Sequence, residues 1–307
     1  MNILLCYRWS PYTTAAYYAK AFRALGHDVR TCGPYDEAQW AAWPEAQRYR
    51  LTGPHYQGEP GRWNPMHGSY DDDGWWPNVK IWIEAGRGWV GILAPVDWPT
   101  MAYFIDSHTH WQEHVKNVPC FDIVFVADIR YVGEYGPNAH WLPMACDPDL
   151  HTPTRMEPPD YDVAFVGNTY PGSPLYEDRR QTLAALAKRY KCRFESGVYF
   201  QDMANVYASA RVVFNKSVLG DLNMRVFEGM CSGRPLVTDL VDGLESLYWR
   251  GSGPAFYQLD QEMYMGINAM LSHPDWADGD GDANRENVLA HHTYARRAAQ
   301  MLQEAGL

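Results

Sequence analysis

The sequence predicts an α/β protein of two Rossmann-like domains, each a series of β-α-β units around a parallel sheet. Three observations carry that expectation. The chain opens on an apolar run, Met1 to Tyr7, followed by a stretch with helical spacing and a second short strand-like run. A second series of the same kind starts at Asp162. Between them, from about Trp141 to Pro158, prolines are dense and regular periodicity stops, which marks an inter-domain linker. The boundary is therefore placed after Pro148, with residues 1–148 and 149–284 as the two domains.

Bulk properties narrow the function. A chain of 307 residues with 46% hydrophobic composition can bury two cores. It has no run of eighteen apolar residues and no charged-then-apolar leader, so a soluble, cytoplasmic protein with no membrane span is expected. Six cysteines are scattered without a CxxC pair, as for reduced buried thiols. A formal charge of −11 argues against a broad phosphate-binding surface, and so against nucleic acid as the default partner, though not against a local basic cleft.

In the first half, Ala16, Tyr17, Ala19, Phe22 and Leu25 share a helical face, so a helix runs from Thr13 to Leu25 and Gly26 closes it. His27 to Thr31 makes the next strand. The turn from Tyr7 to Thr14 lacks GxGxxG, so no NAD or FAD site is assigned. Ser10, Tyr12 and Thr13 follow the first strand at its carboxyl end, where open α/β sheets place ligands, although such residues also serve as simple N-caps. From Pro34 to Asp73 a segment rich in Trp, Pro, Gly, Tyr and Gln has no period and reads as a substrate loop or lid. Further strands are expected at Lys80 to Glu84, Met101 to Ile105 and Ile123 to Ala127. Between the last two stand Asp106, Ser107, His108, Thr109 and His110, with Glu113 and His114 beyond. The spacing admits three readings: loop polarity, a zinc site, or a catalytic cluster built on His108.

The second half continues the pattern. The strand Asp162 to Val166 delivers Gly167 and Asn168 into a tight turn, where a glycine lets backbone approach a pyrophosphate or simply makes a β-turn. Helices are expected at Arg179 to Tyr190 and Asp202 to Ala210, with a strand at Arg193 to Glu195. The most informative stretch is Val212 to Asp239, VVFNKSVLGDLNMRVFEGMCSGRPLVTD. It reads as a buried strand to Asn215, a polar loop carrying Lys216, a short helix capped by Asn223 and Gly233, and a strand from Pro235 to Thr238. Arg225 sits in the first helical turn, where the macrodipole disfavours a cation unless an anion lies in front of the turn. Glu228, one turn on, can accept both hydroxyls of a ribose. The pair is either a nucleotide clamp or an intrahelical contact on a solvated face. After strand Ala255 to Tyr257 and helix Glu262 to Leu271, Pro274 to Asp282 reads as an acidic Gly loop and Arg285 to Glu304 as one long helix.

The segment Asn223 to Asp239 resembles the donor-binding region of the CgeB-like, spore-maturation-type glycosyltransferases, relatives of the retaining enzymes of GT-B fold. DVAFVGNTYP at Asp162 to Pro171, VYASARVVFNKSVLGDLNMRVFEGM at Val206 to Met230 and HHTYARRAAQML at His291 to Leu302 fit the same family, as do IDSHTH at Ile105 and WLPMACDP at Trp141. The resemblance implies two domains facing across a cleft, with the C-terminal helix, about residues 285–307, crossing back onto the first. It implies a transferase that moves a sugar from a nucleotide diphosphate, a UDP-sugar, to an acceptor hydroxyl with retention. Gly167, Asn168, Lys216, Asp221, Asn223, Arg225 and Glu228 would then bind the donor, and Ser10, Tyr12 and Thr13 would lie on the acceptor side. His108, oriented by Asp106, would be catalytic. No cofactor or metal is expected, because Asp71 to Asp73 follow GSY and precede GWWP instead of ending a strand. The chain departs from its relatives in one place: where a Glu, seven residues and a second Glu are usual, Gly220 occupies the first position, and Asp221 is the nearest acid. Two alternatives stay open: a phage-type enzyme glycosylating a modified DNA base, and a sugar-nucleotide binding protein or epimerase of the same fold.

Overall fold

The computed structural model describes residues 1–7, 13–32, 75–84, 98–154, 158–248 and 253–307. It divides into two compact units, Met1–Pro143 with Tyr294–Leu307, and Met144–Thr293. Ser10, Tyr12 and the whole Pro34 to Asp73 segment, with its Asp71 to Asp73 run, lie outside the described residues.

The first unit is a six-stranded parallel sheet of order β2-β1-β3-β4-β5-β6. Its strands are β1 (Asn2–Cys6), β2 (Asp28–Cys32), β3 (Val79–Glu84), β4 (Thr100–Phe104), β5 (Ile123–Val126) and β6 (Ala139–Trp141). Helix α1 (Thr14–Ala24) crosses from β1 to β2 and buries Tyr17, Tyr18 and Phe22. Central strands in such a sheet are covered on both faces, so they read as continuous apolar runs, and β4 is buried at every position. Strand β6 escaped the sequence reading, because three half-buried residues at a sheet edge carry no periodic signal. The DSHTH run, for which the sequence admits a loop, instead leads into helix α2 (Ser107–His114).

The second unit is a five-stranded parallel sheet of order β11-β10-β9-β7-β8. It comprises β7 (Tyr161–Val166), β8 (Cys192–Glu195), β9 (Ala210–Asn215), β10 (Leu236–Asp239) and β11 (Ala255–Tyr257). Its helices, after the short α3 (Pro148–His151), are α4 (Glu177–Ala187), α5 (Phe200–Ala208), α6 (Met224–Cys231), α7 (Leu244–Leu247), α8 (Asp260–Ser272) and α9 (Pro274–His291). Val163, Phe165, Val212, Phe214 and Val237 from the sheet pack with Leu183, Leu186, Met263 and Ile267 from the helices into one core.

Two expectations near the C-terminus are corrected. Pro274 to Asp282 is not a loop: Pro274 opens α9, where its missing N–H and fixed φ suit the first turn. Arg285 to Glu304 is not one helix either. The chain breaks at His292 and Thr293, where the His292 carbonyl accepts from Cys146 N at 3.0 Å and Thr293 bridges Cys146 as extended backbone. Beyond the break, α10 (Tyr294–Glu304) packs within the first unit, with Tyr294 stacked on Tyr17 at 4.7 Å and Arg297 Nε donating to Pro143 O at 2.9 Å. Among the described residues no helix is long and apolar enough to cross a membrane.

Candidate active site

The carboxyl ends of β7, β9 and β10 lie side by side, the edge at which open parallel sheets bind ligands. Strand β7 delivers Gly167 and Asn168, β9 delivers Lys216 and Ser217, and β10 ends on Asp239. Asn215 ties two of these ends together, its Nδ2 donating to Thr238 Oγ1 at 3.0 Å. Its Oδ1 accepts from Arg225 Nε at 3.4 Å, so the arginine reaches back over the sheet end. A Cβ on Gly167 would lie 3.4 Å from Arg225 Cδ and 2.8 Å from Phe165 Cζ. Gly167 is absent from the positive-φ glycines, so the demand at this position is space and not conformation.

Helix α6 starts as its sequence directs. Asn223 Oδ1 accepts from Arg225 N at 3.1 Å, and Gly233, at φ 79°, stands in the left-handed position past the other end. Val226, Phe227 and Met230 are buried, and Gly229 lets the helix settle on the sheet, since a Cβ there would come within 3.1 Å of Val213. No acid stands in its first turn. The solvated-face reading of Arg225 and Glu228 fails: among the described residues the two form no ion pair, and Glu228 is 3% exposed.

A second guanidinium stands beside the first. Arg179 of α4 is 2% exposed, donates through Nε and Nη2 to Lys216 O at 3.1 and 2.7 Å, and through Nη1 to Asn168 O at 2.9 Å. It thereby joins the loops after β7 and β9. Burial, and then the charge of Arg225, pull its pKa down to about 9, which leaves it charged at neutral pH. No carboxylate among the described residues makes an ion pair with Arg179 or Arg225. Lys216 Nζ meets Asp178 at 3.0 Å, but that acid is 77% exposed and yields cheaply to a stronger anion. Two guanidiniums, an ammonium and a helix N-terminus thus gather positive charge around one loop pair, an arrangement that suits a polyanion. Asp239 fixes the loop from behind, accepting from Ser217 N at 2.8 Å and from Ser217 Oγ.

Glu228 is held on the far side of the helix turn. Its Oε1 lies 3.5 Å from Nε2 of His151, a fully buried histidine on α3. His151 Nδ1 accepts from Asp147 N at 2.9 Å, so the ring proton sits on Nε2, the nitrogen nearer the carboxylate. Burial lifts the Glu228 pKa to about 7, with Arg225 opposing the rise. Cys146 and Cys231 are free thiols close by, and Cys231 Sγ lies 3.9 Å from Thr152 Oγ1.

Asp221 is half-buried, with its N–H bonded to Val218 O at 3.1 Å and its carbonyl accepting from Asn223 Nδ2 at 3.3 Å. The preceding Leu219 and Gly220 both have positive φ, 52° and 73°. In the first unit Asp106 takes the left-handed conformation at φ 55° and starts α2, its carbonyl accepting from Thr109 N, His110 N and Thr109 Oγ1. That turn explains why the polar DSHTH run is helical. A carboxylate oxygen of Asp106 and a ring nitrogen of His108 lie within 4.8 Å. His114 belongs to the core: Nδ1 bonds Tyr135 OH at 2.8 Å, the ring lies against Phe104, and burial with the nearby His110 drops its pKa to about 4. Glu113 is exposed and pairs with Lys116 at 3.8 Å. Thr13 is 3% exposed, and its hydroxyl accepts from Ala15 N at 3.4 Å as the N-cap of α1.

Arg179 and His151 were missed from sequence. A signal for Arg179 existed: residues 179, 182, 183 and 186 form the buried face of α4, so the arginine occupies a core position of its helix. His151 offered none, since its partner lies 77 positions away.

Residues 150–303 match the family model described as "Glycosyl transferase-like". No curated protein matches the chain. Among solved structures, sucrose-phosphate synthase from Thermosynechococcus elongatus is similar at TM-score 0.63 and 13% identity, covering 98% of this chain and 97% of its own. Anabaena HepE, solved with UDP and glucose, is similar at TM-score 0.63 and 11% identity, covering 100% and 99%. An alpha-glucosyltransferase, solved with UDP and a 13-mer DNA containing a HMU base, is similar at TM-score 0.62 and 10% identity, covering 99% of each chain. At such identities the likeness shows the fold, which is GT-B, two Rossmann-like domains each with a parallel sheet. The match over half the chain carries the activity class: this protein belongs to the glycosyl transferase-like family.

Proposed function

We propose that this glycosyltransferase takes its sugar from a UDP-sugar bound by the second unit and delivers it to an acceptor hydroxyl with retention, as a CgeB-like member of its family. The observation that carries the donor assignment is Arg225, its Cδ 3.4 Å from a Cβ built on Gly167 at the sheet end, beside a second guanidinium, with no carboxylate among the described residues in an ion pair with either. Similar proteins solved with UDP support the choice of nucleotide. Arg225, Lys216 and the N–H groups behind Asn223 would meet the diphosphate and the charge that grows on it as the glycosidic bond breaks, in place of a metal ion. Gly167 and Asn168 would let backbone approach the pyrophosphate, Asp221 would contact the sugar, and Glu228 would take the ribose hydroxyls. His108, beside Asp106, would hydrogen-bond the transferring sugar or accept the proton of the acceptor hydroxyl.

The test is transfer or hydrolysis from UDP-, GDP- and dTDP-sugars, with and without EDTA. UDP-sugar should turn over regardless of chelator, and Glu228→Ala should lower kcat/KM by roughly tenfold to a hundredfold, the worth of one or two hydrogen bonds to a charged group. Equal rates in wild type and variant refute the donor site. A DNA acceptor is a second reading, favoured by the similar enzyme solved on HMU-containing DNA and opposed by the charge of −11. Steeply salt-dependent binding to such DNA would select it.

A further inference from the structure

We propose that His151 is a positioning residue for Glu228: its Nε2–H holds one carboxylate oxygen and so turns the other toward the ribose hydroxyls of the donor. The proposal rests on Glu228 as the ribose acceptor. It adds a residue from a different element, the four-residue α3, that touches no substrate itself.

A neutral imidazole has one donor and one acceptor nitrogen, and the Asp147 N–H at 2.9 Å claims Nδ1 as acceptor. Nε2 therefore carries the hydrogen, and it faces Glu228 Oε1 at 3.5 Å. The ring is fully buried, so it cannot turn to water; a flip would set Cδ2–H against the Asp147 N–H, and the other tautomer would set two N–H groups against each other. Glu228 Oε2 has no hydrogen-bond partner among the described residues, yet neither Glu228 oxygen is among the enclosed, unpartnered atoms. One carboxylate oxygen thus faces the His151 Nε2–H at 3.5 Å and the other is open. A ribose offers two hydroxyl donors in a fixed vicinal arrangement, and it needs the acceptor held at one angle to use both.

The same burial that fixes the pair makes it sensitive to protons. Glu228 is faced by His151 from α3, Tyr207 from α5 and Cys146 from the segment before α3, with Arg225 and Cys231 on its own helix. Arg225 is the only fixed cation of this set. Hydroxyl donors stabilise the ionised carboxylate, so ribose recognition should weaken as pH falls through about 7. His151 adds to that stabilisation from the other oxygen.

The test compares UDP with 2′,3′-dideoxy-UDP by calorimetry at pH 8 and pH 6. Taking the ratio of the two affinities cancels the titration of the terminal phosphate, which both carry. Wild type should prefer UDP by roughly tenfold or more at pH 8, the worth of a hydrogen bond to a charged group, and lose most of that preference at pH 6. His151→Phe, which fills the space without a donor, should bring the preference at pH 8 to within about twofold, whereas His151→Gln, which can present an N–H in the place of Nε2, should retain most of it. Wild type without a preference overturns the ribose role of Glu228. A wild-type preference that survives in folded His151→Phe overturns the positioning role alone. Should His151→Phe not fold, nitrogen-15 NMR of the wild-type ring decides: an Nε2–H tautomer is expected, and an Nδ1–H tautomer refutes the proposal.

Discussion

Arg179 shows what one residue does for the loops of the candidate site through its carbonyl contacts. Three of its five N–H donors are spent on the carbonyls of Lys216 and Asn168, which follow the ends of two different strands. Only a planar fork can serve both at once, so lysine is no substitute. Arg179→Lys should loosen the two loops and weaken UDP binding by roughly tenfold. Arg179→Met should also leave buried carbonyls unsatisfied, at a cost of about 1–3 kcal/mol each, and lower the thermal midpoint more than Arg179→Lys does. Calorimetry and thermal unfolding read the two effects separately, and an Arg179→Met protein with wild-type UDP affinity would remove Arg179 from the site. At this scale the sequence was partly legible. Arg225 and Glu228 stood out because helical spacing is local, and Gly167 because a strand end is. Arg179 and His151 act across 37 and 77 positions, respectively to Lys216 and Glu228, distances over which no periodicity operates.

Helix α9 is the element that propensity misjudged. PDWADGDGDAN holds two glycines and four acids among poor helix formers, and the sum favours a loop. Packing overrides it. A Cβ on Gly281 would lie 2.5 Å from Gly233 O and 3.0 Å from Arg234 C, so the glycine lets α9 press directly on the turn between α6 and β10. Arg234, buried in that turn, donates to Ala208 O at 3.1 Å and reaches Asp278 of α9 at 3.4 Å. Gly279, two residues earlier on the same helix, has nothing within 4 Å of its Cβ position. The two glycines therefore predict opposite signs for one substitution. Gly279→Ala should stabilise the protein by about 0.5–1 kcal/mol, the helix-propensity difference. Gly281→Ala should destabilise it despite the same gain, because the added carbon meets backbone that cannot move aside. Thermal unfolding of both variants checks this, and a stabilising Gly281→Ala would show that α9 does not rest on the turn. The strands were legible for the converse reason: in a parallel sheet covered on both faces, apolar runs such as Ile3 to Cys6 and Val163 to Val166 have few other uses.

Across the whole molecule the two units carry buried groups whose protonation pulls stability in opposite directions. In the first unit His114 sits neutral between Phe104 and Tyr135, with its pKa lowered from 6.5 to about 4. The unfolded chain binds the extra proton first, so the contribution of His114 is present above pH 6.5 and is lost as pH falls toward 4. In the second unit the Glu228 pKa is raised from 4.5 to about 7, so here the folded state binds the extra proton. Its contribution is present below pH 4.5 and is lost as pH rises through 7, by about 3 kcal/mol at most on the scale of 1.36 kcal/mol per pKa unit. Between about pH 4.5 and 6.5, then, alkali favours the first unit through His114 and disfavours the second through Glu228. Hydrogen exchange resolved by peptide can follow each unit separately, and variants isolate each group from the other titrations. Glu228→Gln should remove a downward slope with pH from peptides of α6, β9 and β10 and leave the first unit unchanged. His114→Gln should remove an upward slope from α2 and β4 alone. If Glu228→Gln and wild type share one pH profile in α6, the carboxyl is not held protonated by burial, and the acid-weakened ribose recognition expected above would lose its cause.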